Sequence, residues 1–137
     1  MKSKAVLQET DVHAILTAAK AFAIEKKWAV TIAVVDDGGH LLGLSRLDGV
    51  APISAHIAPA KAQTAALGCR ASKIYEDIIN NGRIAFLSAP LFEGMLEGGL
   101  PITVDGQVIG AVGVSGVQSS EDAQIAQAGI AALNLPN

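Results

Sequence analysis

Apolar residues recur at Val12, Ile15, Leu16, Ala19, Phe22 and Ala23, a spacing of three and four that gathers them on one helix face. Thr10 is the expected N-cap, with Asp11 in the first turn where a carboxylate suits the helix dipole. The helix is predicted to end near Lys27. From Trp28 the pattern changes: Ala29 to Val35 is rich in β-branched residues and predicts a strand. Asp36-Asp37-Gly38-Gly39 supplies turn chemistry, and His40 to Arg46 returns as the second strand of a hairpin. Asp48-Gly49 and Pro52 break that strand. A second helix follows with Ser54 as its cap; Pro59 suits a first helical turn, so the regular part is expected from about Ala58 to a stop at Gly68. Ser72 to Asn80 predicts a third helix, capped by Ser72 or Ala71, with Ile74, Ile78 and Ile79 on one side. Residues 83–99 read as irregular. Pro101 to Val104 and Gln107 to Ser115 are predicted strands joined by Asp105-Gly106, a strong hairpin signal. Ser119 with Asp122 resembles a capping box opening a last helix through Ile125, Ala126, Ile130 and Leu133.

The order is α-ββ-α-α-ββ-α. Hairpins make antiparallel pairs, so the expected fold is α+β, a single antiparallel sheet flanked by helices. A chain of 137 residues with no linker or low-complexity tract fits one domain over 1–137. Half the residues are hydrophobic, yet only 4% are aromatic and 24 are alanine, so the core must be small and branched aliphatic side chains packed closely. Charged residues, at 17%, fall below the usual ~25% and leave apolar surface over; a homo-oligomer is expected, with Ala58, Ala62, Ala65 and Ala66 a face that permits close docking. A net charge of −3 without a basic stripe argues against nucleic-acid binding. The apolar run Ala5-Val6-Leu7 is too short for a signal-peptide core and no stretch approaches a membrane span, so a cytoplasmic protein without a membrane partner is expected. The single Cys69 excludes an internal disulfide and reads as a small buried thiol near a helix end.

Most familiar chemistry fails to match. Gly113-Val114-Ser115-Gly116-Val117 misses the nucleophile-elbow spacing, and no histidine follows His56. No dinucleotide or phosphate loop is present, and Glu93 and Glu97 flank the glycines between Gly94 and Gly99. His13, His40 and His56 lack short metal-ligand spacing. A polar set remains around the first hairpin. His40, Leu42, Leu44 and Arg46 fall in phase on a regular strand, Arg46 and Asp48 carry opposite charges, and Lys61 is an isolated cation on an alanine-rich helix. Arg46, Asp48 and Lys61 read either as a structural ion pair joining strand end to helix or as a charged rim for an anionic small molecule. His13 borders the apolar stripe, where a surface group or a pocket ligand would sit.

Val34-Val35-Asp36-Asp37-Gly38-Gly39-His40-Leu41, Arg46-Leu47-Asp48-Gly49, Ala60-Lys61-Ala62 with Thr64-Ala65, Gly98-Gly99-Leu100-Pro101-Ile102, and Gly110 to Gly116 followed by Glu121-Asp122 together resemble the GlcG/HbpS family. That family spans glycolate-utilisation proteins, haem-binding proteins, and the C-terminal domain of PduO-type corrinoid adenosyltransferases. The resemblance implies a PAS- or profilin-like antiparallel sheet in an oligomer. It also implies a non-catalytic accessory protein of glycolate, glycerol or propanediol metabolism that binds haem or a related tetrapyrrole. His13 would be the metal ligand, with Arg46 and Lys61 pairing with the propionates. The alternatives are an enzyme or sensor holding a small organic acid with Arg46 and Lys61, and a purely structural oligomer. No acid–base pair or activated nucleophile is visible for catalysis.

Overall fold

The computed structural model describes residues 1–136. Its elements follow the expected order: α1 (Glu9–Glu25), β1 (Thr31–Asp36), β2 (Leu41–Arg46), α2 (Ser54–Gly68), α3 (Ser72–Asn80), a 3-10 turn (Ile84–Ser88), β3 (Gly99–Val104), β4 (Gln107–Ser115) and α4 (Ser119–Ala131). The strands form one four-stranded antiparallel sheet in the order β2-β1-β4-β3. No helix among the described residues is long and apolar enough to cross a membrane.

Alternation along β1 and β4 divides the core between the two sheet faces. Ile32, Val34, Val112 and Val114 point towards α1 and α4, meeting Val12, Ile15, Ala19, Ile125 and Ala126. Val35 and Ala111 point the other way, onto Ala62, Ala65 and Ala66 of α2. The second face works by closeness rather than bulk. A methyl on Gly113 would overlap the carbonyl oxygen of Ala58 and one on Gly99 that of Lys61, so the α2 backbone rests directly on strand backbone. This is where part of the alanine goes: Ala58, Ala62 and Ala65 are fully buried against the protein's own sheet.

Both expected N-caps move. α1 is preceded by Gln8, whose backbone N–H donates to the Asp11 carboxylate at 2.8 Å, and α4 by Gln118, whose N–H donates to Glu121 at 3.2 Å. In each case the acid three residues into the helix closes the first turn, which Thr10 and Ser119 were expected to do. Asp11→Ala is therefore expected to cost about 1 kcal/mol in denaturant unfolding.

Three further differences have local causes. α2 starts at Ser54 and carries Pro59 inside it, because residues 51–57 already wind into a turn through bonds such as Ala55 N–H to the Pro52 carbonyl. The Ser54 hydroxyl does not cap; it bonds Thr31 Oγ1 and the Ala51 carbonyl, both at 2.7 Å, pinning the helix start to β1. Cys69 is exposed, not buried, and itself takes the left-handed position after α2 (φ 58°). Gly68 serves space instead, since Tyr75 occupies the place of any side chain there. Finally, the β1–β2 register shifts so that Val34 pairs with Gly43 but Val35 with Leu41. That bulge at Leu42 breaks the phase expected for His40, Leu42, Leu44 and Arg46.

Candidate functional site

Three of the segments that carried the family resemblance, those holding Lys61, Gly98 and Val114 with Asp122, meet at one buried point. Lys61, facing inward from α2, donates to the Val114 carbonyl at 2.9 Å and to Asp122 Oδ2 at 3.1 Å. Its side chain is 3% exposed and that of Asp122 2%. Asp122 Oδ1 accepts the Val117 N–H at 3.1 Å, which ties the β4–α4 turn into the same knot. Gly98 (φ 131°) leaves no room for a side chain beside Lys61 Nζ and the Val114 carbonyl. Burial raises the Asp122 carboxyl above its ordinary value, against the opposing pull of Lys61 and the Val117 N–H. Both members of the pair are thus sealed from solvent and engaged, and their chemistry is that of a structural clamp linking α2, β4 and α4.

This placement corrects the reading of Lys61 as a surface cation. Lys61 meets neither Arg46 nor Asp48. Among the described residues neither Arg46 nor Asp48 enters an ion pair, so the strand-end pair does not form. Nor do Arg46 and Lys61 make a carboxylate clamp, since one is exposed and the other is spent inside. The acid in the clamp, Asp122, was legible only as a helix-start signal, because its partner lies 61 residues away.

His13 is exposed on α1. Val12 and Leu16 lie over Gly43 of β2, and His13, three residues before Leu16, stands on that flank of α1. No hydrogen bond or ion pair engages its ring among the described residues. Thr17, Lys20 and Ile24 continue the same exposed stripe, and Lys20 stands two helical turns on, about 10 Å along the axis. Lys20 is the cation the sequence reading passed over; its signal was the i, i+7 spacing from His13. Arg46 does not join this stripe. It pairs with Thr31 and so projects towards the α2 side of the sheet, whereas His13 lies on the α1 side.

Other features are separate. His40 packs its Nδ1 3.1 Å from Asp36 Oδ1, the oxygen that also accepts the Gly38 and His40 N–H groups. Although burial pulls the other way, these bonds hold the Asp36 carboxyl below its ordinary value. A cavity of about 310 Å³ between α3 and the loop before β3 is lined by Ile79, Phe92, Met95 and Leu96, and includes none of His13, Arg46 or Lys61. No three His, Cys, Asp or Glu side chains among the described residues come together to hold a bare metal ion.

Comparison with known proteins agrees with the arrangement. A family model described as haem degrading protein HbpS-like matches residues 7–131. Protein GlcG of Escherichia coli strain K12 is 56% identical over 115 residues, covering 84% of this chain and 85% of that protein. Among solved structures, the PduOC:haem complex superposes with a TM-score of 0.86 at 29% identity, over 96% of this chain and 98% of that one. A double mutant of HbpS from Streptomyces reticuli gives 0.87 at 28% identity, over 97% and 90%. With the family model spanning nearly all of the fold, and the buried Lys61–Asp122 clamp built from segments among those that carried the resemblance, the chain belongs to the HbpS-like family.

Proposed function

We propose that this protein is a non-catalytic accessory protein that binds haem or a related tetrapyrrole through His13 and works as a homo-oligomer. The observation that carries the reading is the exposed, unengaged imidazole on the α1 flank, in a family where the PduOC relative is known as a haem complex. Haem needs one axial nitrogen, apolar surface and cations for its propionates. His13 supplies the nitrogen, Ile24 (60% exposed) supplies apolar surface on the same stripe, and Lys20 supplies the cation. A bare metal site would need several ligands together, whereas an axial position needs only one. The donor set fits haem.

In this assignment His13 binds and orients the macrocycle, and Lys20 pairs with a propionate. Bound haem would bring redox-active iron. Arg46 is left as a cation for a ligand on the opposite side of the sheet edge, and Lys61 acts only through the scaffold. One copy offers a face and not a cleft, so a second copy is needed to wall the ligand in, consistent with the low charge of the chain. The single domain is taken to act in the cytoplasm, in glycolate, glycerol or propanediol metabolism.

Haemin titration tests the reading. A saturable Soret shift is expected, and His13→Ala is expected to abolish or displace it while changing stability by less than about 0.5 kcal/mol, as for an exposed site. An identical spectrum in that variant refutes His13 as the ligand. Lys20→Ala should weaken binding without moving the Soret maximum.

A further inference from the structure

The chain has one tryptophan, one tyrosine and three phenylalanines, and three of these five rings gather between α3 and the loop before β3. Tyr75 lies 5.2 Å from Phe86 and 4.9 Å from Phe92 between ring centroids, and Phe86 lies 6.4 Å from Phe92. An aromatic face is electron-rich and attracts a cation. Two of the three rings already hold one: the Arg70 guanidinium stands 4.8 Å from the centroid of Tyr75, and that of Arg83 stands 5.4 Å from Phe86. Phe22, far away on α1, has Lys26 at 5.6 Å. Among the described residues Phe92 is the one phenylalanine with no cation over its ring.

Phe92 is also the ring of the cluster that lines the cavity of about 310 Å³. Ile79, Met95 and Leu96 give that cavity an apolar wall, and Met95 is buried. Its charged lining is acidic on both sides, Glu76 from α3 and Glu93 from the loop. Neither carboxylate enters an ion pair among the described residues. Lys73, three residues before Glu76, feels that carboxylate but is held by both oxygens of Asp77, at 2.9 and 2.7 Å. The glutamates repel an anion, and a bare metal ion finds no set of three ligands. A cation with an apolar body uses the wall, the free ring face and the carboxylates together.

We propose that this cavity binds a small organic cation of the alkylammonium class. Its head contacts the Phe92 ring and the carboxylates of Glu76 and Glu93, and its chain lies along Ile79, Met95 and Leu96. The volume stands at the lower end of small-molecule sites, roughly 300–1,000 Å³, which suits a short chain. The site is separate from the one built on His13 and Lys20, neither of which lines it. A tetrapyrrole is the wrong occupant, since the glutamates repel its propionates.

An NMR titration of the full chain tests this, read at the methyl of Met95, one of only two methionines. The probes are n-hexylammonium, 1-hexanol and hexanoate, which share a chain and differ in the charge of the head. Hexylammonium should shift the Met95 methyl saturably, 1-hexanol should bind about tenfold more weakly, and hexanoate should give no shift. Glu93→Gln should weaken hexylammonium about threefold and leave 1-hexanol unchanged. Phe92→Leu keeps the wall apolar and should remove most of the preference for the cation. His13→Ala should bind hexylammonium as the wild type does, so the haem reading stands or falls apart from this one. Equal affinity for hexylammonium and 1-hexanol, no saturable shift, or a preference that survives both Glu93→Gln and Phe92→Leu overturns the proposal. A lower mass for Leu87→Lys in sedimentation equilibrium would give the cavity to a second copy of the chain and overturn it as well. Should Phe92→Leu fail to fold, Glu93→Gln at its exposed position decides.

Discussion

Lys61→Met is expected to cost about 3–5 kcal/mol of stability at neutral pH, the price of leaving the Asp122 carboxylate buried without its cation. The penalty should shrink as the solution is made acidic. Asp122 already has a raised carboxyl in the folded chain, with burial as the main cause and Lys61 pulling it down. Removing Lys61 raises it further. Between the unfolded and folded values the native chain then holds a proton that the unfolded chain lacks, so stability rises as pH falls through that window. Asp122→Asn should cost a similar amount without acid rescue, since it strands the ammonium of Lys61. The double replacement Lys61→Met with Asp122→Leu should be much milder than either single change, because a buried pair replaced by apolar groups is often near neutral. Urea unfolding at pH 7 and near pH 4 separates these cases. Equal losses for Lys61→Met at both pH values would contradict the clamp.

Gly113→Ala should destabilise by about 3 kcal/mol, at or beyond the upper end of ordinary overpacking. The added methyl would run into the carbonyl oxygen of Ala58 and the amide nitrogen of Ala62, and backbone atoms cannot rotate aside as a side chain can. α2 would have to lift off β4. Gly106→Ala is the contrasting case. It sits in the β3–β4 turn at φ 75° with open space around it, so only the left-handed backbone is charged, about 1 kcal/mol. Thermal unfolding of the two variants should therefore rank them clearly, and a Gly113→Ala protein as stable as Gly106→Ala would show that α2 does not rest on the strand.

Helices and strands were legible in the sequence because their signals are local. The three-and-four spacing from Val12 to Ala23, the β-branched run at Thr31 to Val35, and Asp105-Gly106 between two strands each act within a few residues. Order along the chain followed, and with it the antiparallel sheet. The motif segments were also readable as a family signature, but what they are for was not. Lys61 looks like a surface cation until the chain is folded, because nothing near it in sequence announces Asp122 or the Val114 carbonyl. Caps were shifted because Gln8 and Gln118 start their helices through acids further in, and tertiary pull took Asp122 away from the cap it was expected to form. Cys69 has the same lesson: residue type and place near a helix end suggested burial, whereas the folded chain leaves it exposed in the left-handed position after α2.

By itself, then, the sequence determined the elements, their order and the family, since hydrophobic periodicity and turn chemistry are properties of neighbouring residues. Only the tertiary structure decided that Lys61 is a clamp and not a ligand group, and that His13 shares its face with Lys20 and not with Arg46. Each of these depends on which face of the sheet a residue meets after folding, and that is set by pairings dozens of residues apart, where burial and backbone contact select a partner that no local pattern specifies.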